Sequence, residues 1–205
     1  MLAIIDYGMG NLRSVQKGFA KIGTEATVVN SPADVMNASG IVLPGVGAFR
    51  DCIKNLEELG LTGPILKSIE AGKPFLGICL GLQALFTESH EFGVHKGLDV
   101  FKGKVLRFPE NTGLKVPHMG WNTINIKRRP PVLSEIQDGA SFYFVHSYYV
   151  APEDPSIIAT TTEYGIEYTS MVWKDNVFAV QFHPEKSQAM GLEILRAFGD
   201  LVKKS

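Results

Sequence analysis

FLGICLGLQALF, residues 75–86, sets Cys79 between Gly77 and Gly81, after an apolar run and before an apolar, helix-like one. A thiol at such a junction has two readings. On a sharp strand-to-helix turn it is a nucleophile: flanking glycines relieve steric conflict, and a helix start offers backbone N–H groups and a positive dipole end. Both favour a thiolate or an oxyanion. In a packed core it is a small apolar residue, since free cysteine is among the most buried types. The second cysteine, Cys52, lies in a helical pattern beside Ile53 and reads as packing.

A cysteine nucleophile needs a base, and the base needs a group that orients it. Of the five histidines, His90, His95, His118, His146 and His183, only His183 has a carboxylate two residues on, in Gln181-Phe182-His183-Pro184-Glu185. If the strand of VFAVQF continues, residues two apart share a side, and Glu185 stands beside the imidazole. Pro184 lacks a ladder donor and suits a strand end opening on a cleft. Alone, this segment also reads as a surface turn after an edge strand. Together with Cys79 at another strand end it forms a catalytic constellation.

The third piece is Leu43-Pro44-Gly45-Val46-Gly47, again after an apolar run. A glycine-rich loop at the C-terminal edge of a parallel sheet can aim backbone N–H groups at an oxyanion, or it can be a plain connection. Gly8-Met9-Gly10-Asn11 lacks the last glycine of a dinucleotide fingerprint, which is Arg13, so Asn11 reads as a helix N-cap.

These pieces need elements to hold them. Residues 2–6, 26–30, 40–45 and 74–78 are short apolar strands. Leu12, Val15, Phe19 and Ile22 mark one helix face, and Phe49, Ile53, Leu56 and Leu59 another, stopped by Gly60. Ser31-Pro32 is a cap followed by a first-turn proline, and 64–71 fits a further helix. Alternating strand and helix predicts a parallel sheet with right-handed crossovers. After about residue 98, GKVLRF, WNTINI, SFYFVHSYYV, SIIATTT, TSMVWK and NVFAVQF read as antiparallel strands or hairpins added to that sheet. A last helix is expected at 188–203, with Leu192, Leu195, Phe198 and Val202 on one face. The expected fold is α/β: a flavodoxin-like open mixed sheet, mostly parallel with added antiparallel strands, helices on both faces, one domain over 1–205.

With 20 Lys and Arg against 21 Asp and Glu, the net charge of −1 gives no reason to expect nucleic acid or an anionic membrane. No apolar stretch approaches the ~18 residues of a membrane span, and the N-terminus has no leader pattern. Two cysteines form neither a disulfide framework nor a zinc pattern, so the expected compartment is cytoplasmic, with reduced thiols and no metal.

PGVG, GICLGLQ and QFHPEKS, in this order and spacing, resemble the class I (triad) glutamine amidotransferases across nearly the whole chain. DYGMGNLRSV (6–15), PHMGWN (117–122) and FVHSYY (144–149) narrow the resemblance to the glutaminase subunits of imidazole glycerol phosphate synthase, in histidine biosynthesis. The resemblance implies a triad of Cys79, His183 and Glu185. It also implies an oxyanion hole from the N–H groups of Val46 and Leu80, and glutamine binding by Gly47, Gln83, Glu91, Ser147 and Tyr148. It implies no cofactor. The implied partner is a TIM-barrel cyclase in a heterodimer, which uses the ammonia to make imidazole glycerol phosphate and an aminoimidazole carboxamide ribotide (AICAR). Interface candidates are Asn11, His118, Trp121, Asn122 and Lys186. The glycines around Val46 suggest a loop that rests with one oxyanion donor misdirected until the cyclase is occupied. Other readings are a glutaminase serving another synthetase, a cysteine hydrolase acting alone, and a silent flavodoxin-like module with Cys79 buried.

Overall fold

The computed structural model describes residues 1–109 and 113–204. In the first half, strands β1 (Leu2–Ile5), β2 (Ala26–Val29), β3 (Gly40–Gly45) and β4 (Phe75–Cys79) alternate with helices α1 (Leu12–Lys21), α2 (Pro32–Asn37), α3 (Phe49–Glu58) and α4 (Thr62–Glu70). The second half begins with a single turn, α5 (Leu80–Gln83), then β5 (Phe86–Ser89), β6 (His95–Lys96), β7 (Phe101–Arg107), β8 (His118–Thr123) and β9 (Asn125–Ile126). It continues through β10 (Ser141–His146), β11 (Tyr148–Pro152), β12 (Ile158–Glu163), β13 (Glu167–Lys174) and β14 (Val177–Val180) to α6 (Gln188–Lys204).

Among the described residues, twelve strands form one sheet in the order β2-β1-β3-β4-β14-β13-β11-β7-β5-β6, with β12 on β13 and β9 on β12. The run β2-β1-β3-β4-β14 is parallel throughout. Its C-terminal ends therefore meet at one edge, where open α/β sheets bind ligands. Side-chain alternation explains why both faces are covered. Ala3 and Ile5 of β1 and Ile41 and Leu43 of β3 join Val35, Phe49, Leu56 and Ile65 of α2, α3 and α4 on one side. Leu2, Ile4, Val42, Leu76 and Ile78 join Val15 and Phe19 of α1 and Leu195 and Phe198 of α6 on the other. Strands buried on both faces read as continuous apolar runs, which is how β1, β3 and β4 look in the sequence.

Several expectations are met locally. Ser31 caps α2, its Oγ accepting from Asp34 N at 3.2 Å, with Pro32 in the first turn. Gly60 follows α3 with φ +65°. Other expectations are corrected. Asn11 occupies the N-cap position of α1, but its side chain makes no capping bond there. Leu59 is exposed, and Leu61 fills the core instead.

The helix-like run after Cys79 is one turn only, because the chain re-enters the sheet as β5 at Phe86. NVFAVQF is antiparallel to β13, as expected, with Met171 opposite Val180, but its other edge is parallel to β4: Val177 pairs with Phe75 and Val180 with Ile78. SFYFVHSYYV divides at Ser147. Its first half, β10, pairs with β8 in a separate two-stranded sheet, and only β11 joins the main one. None of the helices among the described residues is long and apolar enough to cross a membrane.

Candidate active site

β4 ends in a backbone turn that ordinary side chains avoid. Cys79 has φ +55° and ψ −107°, followed at once by α5. A non-glycine residue at positive φ is strained and persists only where its surroundings hold it. Those surroundings depend on glycine. A Cβ on Gly81 would overlap the Leu43 carbonyl oxygen of β3, and one on Gly77 would meet the Gly81 carbonyl at 2.8 Å. Gly45 plays the same part from the neighbouring strand, since a Cβ there would strike the Tyr7 hydroxyl and Leu80 Cβ. It supplies close approach rather than an unusual φ; the positive φ in this loop belongs to Gly47, at +100°. Gly81→Ala is therefore expected to destabilise the fold by roughly 3 kcal/mol. The thermal midpoint should fall by roughly 6–12 °C. A melting curve on the purified variant checks this.

At the end of β14 the chain turns through Pro184–Lys186, a short 3-10 segment with proline in its first turn. This turn brings Glu185 back onto His183. The two are paired by the turn and not by strand alternation as the residue spacing suggests, because β14 stops at Val180. His183 Nδ1 and Glu185 Oε1 are 2.8 Å apart, with side chains 2% and 1% exposed. Neither His183 Nε2 nor Glu185 Oε2 has a hydrogen-bond partner among the described residues. Burial pulls the imidazole down, but the sulfur charge of Cys79 and the Glu185 carboxylate outweigh it, so His183 is raised well above an ordinary histidine. That balance keeps the imidazole protonated near pH 7.

The turn is pinned from both sides. His183 N donates to the Tyr143 carbonyl at 2.9 Å. Ser187 Oγ donates to the His183 carbonyl at 2.7 Å and accepts from Tyr143 N at 2.9 Å. A Cβ on Gly191 would overlap the Pro184 carbonyl, so the start of α6 packs directly on the turn.

A cavity of about 410 Å³ opens at this sheet edge, lined by Val46, Gly47, Cys79, Leu80, Gln83, Glu91, Ser147, Tyr148 and Lys186 among others. Both expected oxyanion residues and all five expected glutamine-binding residues are in this lining. Gln83 is buried in α5, and Glu91 sits in the turn after β5, so neither lies on a solvated helix face. One Glu91 oxygen accepts from Phe49 N, the first N–H of α3, where Ala48 offers no capping side chain. Burial, then the Glu91 charge, raises the Tyr148 hydroxyl.

The interface candidates divide. Trp121 is 49% exposed, edge-on to Tyr143, and Lys186 Nζ stands 5.9 Å over the same Tyr143 ring. Asn11 is exposed, on the loop whose Met9 packs against Gly47. Asn122 is half-buried and donates to the Glu163 carbonyl at 2.8 Å. His118 does not reach the surface. It is 3% exposed, with ring centroids 4.9 Å from Phe144 and 4.0 Å from Tyr164, and Nδ1 lies 3.2 Å from His146 Nε2. Burial lowers His118 to about 4 and His146 to about 3, so both are neutral near pH 7. Cys52 is fully buried, with burial pushing its thiol up to about 12.

The family model described as "Glutamine amidotransferase class-I" matches residues 3–200. The chain is also 61% identical over 205 residues to "Imidazole glycerol phosphate synthase subunit HisH" of Geobacter sulfurreducens, covering 98% of both proteins. The chain belongs to this family of class-I glutamine amidotransferases. The protein of the same name from Geobacter metallireducens is 59% identical over 202 residues, 96% of each chain. A solved structure described as a glutamine amidotransferase superposes with a TM-score of 0.72 at 20% identity, covering 98% of each chain, a likeness of fold.

Within this family member, two side chains at the site are additions to the residues picked out from spacing. Ser187 gave no signal beyond its place in HPEKS. Gln181 did: it is a polar residue ending the otherwise apolar run VFAVQ, and it is fully buried.

Proposed function

We propose that this chain hydrolyses glutamine to glutamate and ammonia through Cys79, His183 and Glu185, as the glutaminase subunit of imidazole glycerol phosphate synthase. The observation that carries the reading is the buried His183–Glu185 pair beside a cysteine held at positive φ. Cys79 Sγ attacks the side-chain amide carbon of glutamine, and His183 takes the thiol proton. His183 then gives that proton to the departing nitrogen, releasing ammonia and leaving a thioester on Sγ. Water, deprotonated by His183, opens the thioester to glutamate and restores the thiol. Glu185 holds the imidazole and stabilises its charged form.

The N–H groups of Val46 and Leu80 receive the oxyanion, where one donor is typically worth ~2.7–4 kcal/mol. Gly47, Gln83, Glu91, Ser147 and Tyr148 hold the substrate. The free side of the Glu91 carboxylate suits its ammonium, and backbone donors suit its carboxylate. On this reading the whole chain, 1–205, works as one amidotransferase domain in the cytoplasm and needs no cofactor.

The word "subunit" in the relatives' names supports a partner. We take it to be the TIM-barrel cyclase, joined one to one, which receives the ammonia and makes imidazole glycerol phosphate and AICAR. Exposed Trp121, with Met119 at 62% exposure and the Tyr143–Lys186 stack beside it, supports docking over the β8–β10 sheet. Asn11 and Asn122 fit the rim of that contact, and His118 fits only a supporting place beneath it.

The test is glutamate release by the chain alone, with the cyclase, and with cyclase plus its nucleotide substrate. Strong stimulation in the last mixture supports a partner-gated glutaminase. Equal turnover in all three contradicts the gating and favours a hydrolase acting alone.

A further inference from the structure

A primary amide buried without bonds is costly, so a fully buried glutamine must be paired on both its atoms. Gln181 has such partners, and one of them is the reacting sulfur. Its Nε2 lies 3.5 Å from Cys79 Sγ, and its Oε1 accepts from Gln83 Nε2 at 3.1 Å. Gln83 Nε2 also donates to the Tyr148 carbonyl at 3.0 Å. Gln181's own backbone is tied down, its N donating to the Ser170 carbonyl at 2.8 Å.

The direction of each amide follows from its neighbours. A backbone carbonyl only accepts, so the nitrogen of Gln83 must face Tyr148. The second hydrogen of that same NH₂ group points at Gln181, which must answer with its oxygen. The Gln181 nitrogen is then left facing the sulfur. One carbonyl on β11, through two amides, thus aims a donor at Cys79.

We propose that Gln181 is a catalytic residue of the glutaminase reaction, donating a hydrogen bond that stabilises the Cys79 thiolate, with Gln83 and the Tyr148 carbonyl fixing the direction of that donor. This rests on the reading of Cys79 as nucleophile. A hydrogen bond to a charged acceptor is stronger than one to a neutral thiol, so the donor favours the ionised sulfur. An amide does not titrate, so it supports the thiolate at every working pH without competing with His183 for the proton. Gln83 has two tasks on this account: it lines the substrate cavity, and it sets the donor on the nucleophile. Gln181 is thereby distinct from the triad, although it lies two residues from His183.

Alkylation by iodoacetamide reads the claim without glutamine or partner, since the thiolate displaces iodide and forms the S–C bond directly. The rate is followed on the Cys79 peptide by mass spectrometry, in the full chain and in Gln181→Met, at pH 7 and pH 10. Expected is a loss of about ten-fold or more at pH 7, with equal rates at pH 10, where an ordinary thiol needs no donor to ionise. Should Gln181→Met fail to fold, Gln83→Met carries the test, with a loss at pH 7 and none at pH 10. Equal rates at both pH values in a folded variant overturn the proposal. So does an equal loss at both, which marks a sulfur displaced and not a thiolate destabilised. Failure of wild-type Cys79 to react at either pH overturns the nucleophile reading itself, and the proposal with it.

Discussion

Cys79→Ala is expected to lower glutamine hydrolysis by at least about 10⁴-fold, because it removes the atom that carries the covalent intermediate. Its fold should survive. The positive φ of residue 79 is imposed by the packing of Gly45, Gly77 and Gly81, and alanine meets the same backbone cost as cysteine there. Loss of the sulfur leaves the buried Gln181 Nε2 without that partner and costs roughly 1–3 kcal/mol. Cys52→Ala is the matching control. Cys52 lies in α3 with its thiol fully buried, so a similar stability cost should come with activity retained. Glutamate release and a melting curve on both variants check the pair of outcomes. A Cys79→Ala protein that still turns over glutamine would return Cys79 to the core.

The second large effect belongs to Glu185. Glu185→Gln keeps the size of the side chain but removes the charge that faces His183 Nδ1 at 2.8 Å. The imidazolium formed during acylation then loses its buried counter-charge, and turnover should fall roughly 10³- to 10⁴-fold. Stability also changes its dependence on pH. In the folded protein His183 is raised from 6.5 to about 10, with burial opposing the rise and the charges of Cys79 and Glu185 driving it. A raised histidine stabilises the fold fully below its ordinary value, and that contribution is lost as pH rises through the folded value. Wild-type stability owed to His183 therefore falls between about pH 6.5 and 10. Glu185→Gln should flatten that fall. Denaturant melts across the window check it, and parallel curves for the two proteins would count against a charged His183–Glu185 pair.

How much of this was legible without coordinates depended on whether the cause was local. The Ser31 cap, the apolar strands β1, β3 and β4, and the glycines around Cys79 each follow from residues within a few positions. The pairing of His183 with Glu185 was legible as chemistry but not as geometry, since proline closes a 3-10 turn where strand alternation had been expected. Non-local pairings left no trace. Nothing in NVFAVQF says that β14 lies parallel to β4, roughly a hundred residues away, and nothing in SFYFVHSYYV says that its two halves enter different sheets.

The burial of His118 was hidden for the same reason. This histidine was named through the resemblance alone, and Phe108, Phe144, Tyr164 and Tyr168 arrive from other segments to enclose it. Gln181 and Gln83 are 98 positions apart, and only the fold makes them one hydrogen-bonded unit.

The central claim is that Cys79 is the nucleophile towards glutamine. The most direct measurement is to label the full chain, with the cyclase present, using a glutamine analogue whose side chain ends in an electrophile, and to map the adduct by mass spectrometry. The account predicts a single adduct on Cys79, blocked by excess glutamine and absent in Cys79→Ala. An adduct on another residue, or labelling that glutamine does not protect, would contradict it.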